Sequence, residues 1–196
     1  DARPRVGERI VVFGAGPIGL ATTALLSTFP LESLTDVEPV KERRTLAAEF
    51  GATTTETPDG IGETEWADPP GADCCIEVSG NPQALDDAIG AVGYDGRVVI
   101  GSWYGTKPVQ LGLGGRFHRE RIDLRSSQVS TIEPGDRGRN VEVRGTARAI
   151  DLVREHDLGR LVTHQVPFAD APAAYELLAT DDDVLTTVFT YDRHDP

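Results

Sequence analysis

Three glycines at a fixed spacing carry the first chemistry legible in this chain. The stretch Gly14-Ala15-Gly16-Pro17-Ile18-Gly19 follows the apolar run Ile10-Val11-Val12-Phe13, and Ile18, Ala21 and Leu25 then recur at helical spacing, joined by Leu20 and Ala24. Strand, glycine turn and helix form the context in which G-x-G-x-x-G holds a dinucleotide. Gly14 permits the tight turn, Gly16 lets a pyrophosphate approach bare backbone, and Gly19 lets the helix lie close on the strand. The free N–H groups and the positive dipole end of the helix then face the phosphates. Pro17 at the helix start removes no needed donor, because first-turn N–H groups have no intrahelical partner.

The next apolar strand, Leu34 to Val37, ends at Glu38, nineteen residues beyond Gly19. An acid there accepts hydrogen bonds from ribose hydroxyls and repels a 2′-phosphate, which favours NAD over NADP. Arg43 and Arg44 lie close enough in sequence to leave NADP open. Asp36 shares the face of Leu34 and Glu38, and the middle of a parallel strand rarely tolerates a carboxylate. The sequence offers no account of Asp36.

The elements that must position these residues alternate. Pro39 opens a second helix with Val40, Leu46, Ala47 and Phe50 apolar, and Gly51 is placed to close it. Thr53 to Thr55 can form a short strand, and the acidic residues 56 to 72 read as a surface loop. Asp73 to Val78 is a strand ending at Ser79-Gly80; Asn81 caps a helix with Leu85, Ala88, Ile89 and Val92 inward; Arg97 to Ile100 is a strand closed by Gly101-Ser102. Ile122 to Thr131 reads as a sixth strand and 133 to 145 as a polar loop. Thr146 then caps a helix, Leu161 to Val166 is a strand, Asp170 caps a short helix, and Val184 to Tyr191 is a last strand. Residues 1 to 9 read as a linker. This alternation predicts an α/β fold with a doubly wound parallel sheet over residues 1–145, and a small α+β appendage over 146–196. Ligands bind beyond the carboxyl ends of such strands, here Gly14 to Gly19, Glu38, Val78, Ser79, Gly80, Ile100, Gly101 and Ser102.

Composition narrows the partners. There are 32 acids against 19 bases, a net charge of −13, and Lys41 and Lys107 are the two lysines. No basic patch exists to neutralise phosphates, which argues against nucleic acid. Dispersed negative charge is a device of salt-adapted proteins, and we expect a halophilic source. No apolar run reaches the roughly 20 residues needed to span a bilayer. Cys74 and Cys75 are adjacent, so on a strand they point to opposite faces and do not share a metal. Without spaced cysteines there is no disulfide framework, which suits a cytoplasmic protein. The chain opens at Asp1 and contains no Met, so its start reads as processed or as the edge of something longer.

Taken in order, Val11 to Leu20, the strand ending at Glu38, Glu42-Arg43-Arg44, Gly71 to Gly80 and Asp95 to Gly101 resemble the medium-chain, zinc-type alcohol dehydrogenases. His164-Gln165-Val166-Pro167-Phe168, with Asp170, Ala171, Ala174 and Tyr175, is similar to the segment where that family's chain returns to its catalytic domain. The resemblance implies NAD(P)-dependent oxidation of an alcohol or polyol, or the reverse carbonyl reduction, with zinc polarising the substrate oxygen. It implies that Gly14, Gly16, Pro17, Ile18 and Gly19 hold the pyrophosphate, that Glu38 takes the adenosine ribose with Arg43 nearby, and that Val78 to Gly80 and Ile100 to Ser102 line the nicotinamide side. It also implies a homodimer paired through the strand near Ser126 to Ser130. The family's zinc ligands lie in an N-terminal domain without counterpart here, and His118, His156, His164 and His194 are scattered without ligand spacing. We therefore expect no catalytic or metal residue on this chain: it reads as the cofactor-binding half.

Other classes fit less well. A short-chain dehydrogenase needs Tyr and Lys four apart on a helix, whereas Tyr104 and Lys107 are three apart between Gly and Pro. No G-x-S-x-G nucleophile motif occurs. The alternative kept is a non-catalytic NAD-sensing module, which shares the pattern of the first 50 residues but not the strand, helix and strand after 160.

Overall fold

β1 (Arg9–Phe13) is buried along its whole length, as a strand flanked on both sides and covered on both faces must be. The computed structural model describes residues 1–64, 66, 68–131 and 142–191, with backbone alone for 142–144. α1 (Pro17–Leu26), β2 (Ser33–Val37), α2 (Lys41–Glu49), β3 (Thr54–Glu56), α3 (Pro58–Gly62), β4 (Ala72–Glu77), α4 (Pro82–Ala91), β5 (Val92–Ile100), α5 (Arg116–Arg119) and β6 (Asp123–Ser126) follow. Their six strands form one sheet in the order β3-β2-β1-β4-β5-β6, and every pairing is parallel. The fold is thus the doubly wound Rossmann-type α/β arrangement that the alternation predicts.

Side-chain alternation fills both faces. Val11, Phe13, Cys75 and Val98 lie in one apolar cluster, and Ile10, Val12, Cys74, Ile76 and Val99 in the other. Cys74 and Cys75 fall on opposite faces, as adjacent strand residues do, and burial raises both thiols above their usual range. α6 (Glu142–Glu155), β7 (Val162–Pro167), α7 (Ala171–Thr180) and β8 (Thr186–Thr190) complete the chain. Contacts divide it into Asp1–Ala147 and Arg148–Pro196, and in the second unit β7 and β8 pair in parallel as a sheet of their own. Phe168 stacks on Tyr191 at 5.0 Å and meets Phe189 edge-on at 5.8 Å.

Several sequence expectations change. Residues 56 to 72 are not all loop: α3 forms there, Thr57 caps it by accepting from the Gly60 N–H, and Ile61 is buried. The buried face of α1 is Gly19, Leu20, Thr23, Ala24 and Leu26, while Ile18 is 66% and Leu25 40% exposed. Close approach at Gly19 sets the rotation of the helix and turns Ile18 outward. β5 begins at Val92, because the chain leaves α4 directly into pairing with Ala72. β6 ends at Ser126 and does not run on to Thr131: β5 ends at Ile100, whose carbonyl accepts from the Ser127 N–H at 2.8 Å. α6 starts at Glu142, so Thr146 lies inside the helix and does not cap it. The expected loop 133 to 145 falls largely, and His194 wholly, outside the described residues. The opening residues are not a free linker: Arg97 donates to Ala2 O at 2.7 Å and to Glu8 at 2.8 and 2.7 Å.

Candidate cofactor site

The turn after β1 shows why three glycines are needed. Gly14 has φ +102°, and its N–H donates to Val37 O at 2.8 Å. A Cβ at Gly19 would sit 1.7 Å from Gly14 O, an impossible contact, so this position closes the helix onto the turn. A Cβ at Gly16 would meet nothing within 4 Å. Two glycines therefore shape the turn, and the middle one leaves space in front of it. Gly16 is also the N-cap of α1, and Pro17 is its first residue.

Glu38 leaves the end of β2 beside this turn, and it is not a solvated acid: it is 5% exposed. One carboxylate oxygen accepts from the Ala15 N–H at 2.8 Å and the other from the Val40 N–H at 3.1 Å. The acid thus binds the glycine turn itself. Arg44 donates to the Glu38 and Pro39 carbonyls at 2.6 and 2.7 Å, fixing the start of α2. Behind it Asp36 is wholly buried, and the Thr23 hydroxyl of α1 donates to its Oδ2 at 2.7 Å. Its Oδ1 has no hydrogen-bond partner. Burial pushes the Asp36 carboxyl up to about 6; the Thr23 bond opposes this and the Glu38 charge adds to it.

A cleft of about 270 Å³ opens at the carboxyl ends of β1, β2 and β4. It gathers Gly14, Gly16, Glu38, Arg43, Val78 and Ser79 among the expected residues, and Pro58, Gln83, Ala84 and Asp87 beside them. Pro17, Ile18, Gly19, Gly80, Ile100, Gly101 and Ser102 do not line it. The last four are nevertheless tied to its β4 wall: the Gly80 N–H donates to Ser102 Oγ at 2.8 Å, and the Gly101 N–H to Glu77 O at 2.8 Å, just past Ile100. Sequence reasoning passed over Glu77. It is fully buried at the end of β4 and accepts from the Ser79 N–H, the Ser79 hydroxyl and the Tyr104 hydroxyl. An acid closing an apolar run in Asp73 to Val78 was the available signal.

Among the described residues, no three of His, Cys, Asp and Glu converge as a metal site. A dinucleotide fits the cleft, because open space at Gly16, the N-cap of α1, and the buried acid Glu38 meet there.

Fold and turn together define a Rossmann-type domain with a glycine-rich turn after its first strand. A family model described as zinc-binding dehydrogenase matches residues 17–139, and the chain belongs to that family. An L-threonine 3-dehydrogenase of Caldanaerobacter subterraneus subsp. tengcongensis is 34% identical over 188 residues, covering 88% of this chain and 49% of the relative. A 2-dehydro-3-deoxy-L-galactonate 5-dehydrogenase of Pseudoalteromonas atlantica is 32% identical, covering 89% of this chain and 48% of its own length. Among solved structures, a putative alcohol dehydrogenase from Thermotoga maritima superposes with a TM-score of 0.72 at 25% identity, over 94% of this chain and 46% of that one. An alcohol dehydrogenase from E. coli CFT073 complexed with NADH shares the fold, with a TM-score of 0.75 at 19% identity over 96% and 54% of the two chains. The chain spans about half the length of these proteins.

Proposed function

We propose that this chain is the cofactor-binding part of an NAD-dependent dehydrogenase acting on an alcohol or polyol. The observation that carries the reading is the junction of the glycine turn with Glu38: the Ala15 N–H bonds the acid, and Gly16 beside it is open. Gly14, Gly16 and Gly19 shape the phosphate turn. The first N–H groups of α1, from Ile18 onward past the donor-less Pro17, face the pyrophosphate. Each carboxylate oxygen of Glu38 has a lone pair left after its backbone bond, enough to accept from a ribose diol. Its charge disfavours a 2′-phosphate, so the reading is NAD over NADP, with Arg43 on the rim as the residue that would favour NADP. Val78 to Gly80 and Ile100 to Ser102 form the nicotinamide side. NAD held there would supply a hydride acceptor for the alcohol carbon.

The relatives' names and the NADH-bound neighbour support this reading, and nothing among the comparisons supports the NAD-sensing alternative. Zinc belongs to the proposal only as an ion held outside the described residues. The residue boundary 145/146, pairing of two copies as a homodimer, a cytoplasmic setting and salt adaptation complete the reading. Salt adaptation rests on the net charge of −13, and it predicts a melting temperature that rises between low and molar salt. No helix among the described residues is long and apolar enough to cross a membrane.

Calorimetric titration with NADH and NADPH in molar salt tests the function. Micromolar NADH binding with much weaker NADPH binding supports it. A folded sample that binds neither sinks it for this chain.

A further inference from the structure

Glu77 is, with Glu38, a buried glutamate at the carboxyl end of the sheet, and the cofactor reading gives it no task. It is fully buried, and a carboxylate taken out of water persists only where hydrogen bonds replace the lost hydration. Its donors come from two different turns. The Ser79 N–H at 2.7 Å and hydroxyl at 2.6 Å belong to the turn after β4; the Tyr104 hydroxyl belongs to the loop after β5. Its own carbonyl accepts from Gly101 and Ser102 N–H groups at 2.8 and 3.1 Å. The two turns are locked further, with Ser102 Oγ accepting from Gly80 N–H and Lys107 Nζ donating to Gly80 O at 3.0 Å. A Cβ at Gly101 would come within 2.9 Å of Val78 Cγ1, so displacement of one turn is felt by the other. Burial and the Glu77 carboxylate hold the Tyr104 phenol well above its usual range, so it remains a donor at any working pH.

We propose that Glu77 is a positioning residue: through Ser79 and Tyr104 it sets the spacing of the Val78–Gly80 and Ile100–Ser102 turns, and thereby the nicotinamide end of the cofactor cleft. The inference rests on the cofactor reading above. The adenosine and phosphate end, built on Gly14, Gly16 and Glu38, is held by hydrogen bonds of its own, from the Gly14 N–H to Val37 O and from the Ala15 and Val40 N–H groups to Glu38, and meets this network by packing of Gly14 against Ser79. A purely structural carboxylate would lower folding stability and weaken every ligand alike. A positioning carboxylate separates the two ends of the cofactor.

The test compares NADH with ADP, which keeps the adenosine and phosphates but lacks the nicotinamide half. Dissociation constants are measured on the full 196-residue chain for wild type, Glu77→Gln and Tyr104→Phe. Glu77→Gln keeps the shape but offers a single acceptor oxygen; Tyr104→Phe deletes one donor. The expected result is NADH weakened about tenfold by Glu77→Gln and several-fold by Tyr104→Phe, the scale of losing a hydrogen bond to a charged group, with ADP within about twofold of wild type. The emission of bound NADH, a nicotinamide property, should shift in the same order. Equal weakening of NADH and ADP, or no weakening of NADH, overturns the inference and leaves the cofactor reading standing. Wild type that binds neither ligand overturns both. Should Glu77→Gln fail to fold, Tyr104→Phe decides alone, because it removes a hydroxyl from a half-buried ring.

Discussion

The two ends of the six-stranded sheet use acids in different ways. At the amino end, Glu8 meets the Arg97 guanidinium through two bonds of 2.8 and 2.7 Å, and the same guanidinium ties down Ala2. At the carboxyl end, Glu38 is held by backbone N–H groups, and Glu77 by a backbone N–H and two hydroxyls. The first arrangement neutralises a charge and fastens the start of the chain. The second keeps anions at strand ends and uses their acceptor capacity to order turns around a cleft. One residue type thus serves as a tie at one end of a parallel sheet and shapes a site at the other, and the donor chemistry tells which.

Glycine substitutions cut deepest into the contrast between shaping a turn and serving a ligand. Gly19→Ala places a methyl 1.7 Å from Gly14 O, so α1 must move off the turn. The expected cost is about 3 kcal/mol or more, with NADH binding lost, read by chemical denaturation and calorimetry. Gly16→Ala meets open space at φ −74°, which Ala adopts readily. Its stability should stay within about 0.5 kcal/mol of wild type, while NADH affinity falls at least about tenfold. Gly16→Ala with undiminished affinity would remove the phosphate turn from the proposed site.

Glu38→Ala comes next. It leaves the Ala15 and Val40 N–H groups without their acceptor, at a cost of about 1–3 kcal/mol. If Glu38 also reads the ribose, NADH weakens and NADPH does not, so their affinity ratio narrows. An unchanged ratio beside reduced stability would make Glu38 a fastening acid like Glu8 and dissolve the contrast between the two ends.

How much of this was legible in the sequence depends on how local the signal is. The glycine turn, Pro17 at the helix start and the acid ending β2 lie within one strand-turn-helix-strand unit, and their spacing is fixed by the chain itself. The alternation of strands and helices likewise carries the sheet. α3 left no trace because Pro58-Asp59-Gly60-Ile61-Gly62 is too short for a period, and its one anchor, Ile61, is shown only by burial. Gln83 and Asp87 line the cleft from the polar face of α4, where sequence pattern says solvent. Asp36 is explained by Thr23, thirteen residues earlier and on a helix, a pairing that exists only once α1 packs on the sheet. Glu77 needs Tyr104 from the far side of β5.

Asp36 and Glu8 turn the comparison into opposite slopes of stability against pH. The Asp36 carboxyl rises from 3.8 unfolded to about 6 folded, chiefly through burial, so the folded state holds the proton longer. Its contribution is fully present below pH 3.8 and is lost as pH climbs through about 6. Glu8 runs the other way. Burial alone would raise its carboxyl, but the Arg97 guanidinium, the Arg5 N–H and the charges of both arginines outweigh it and hold the group below its usual range. Its contribution is present above pH 4.5 and is lost as pH falls through its depressed folded value. Asp36→Asn should therefore gain on wild type by about 2 kcal/mol between pH 4 and pH 8, whatever constant offset the unpaired amide adds. Glu8→Gln, a smaller effect of about 1 kcal/mol or less, should lose on wild type over the same interval. Urea denaturation at the two pH values gives both differences. Slopes of the same sign would mean that Asp36 is stabilised as an anion, and that a buried acid inside β2 is one more tie.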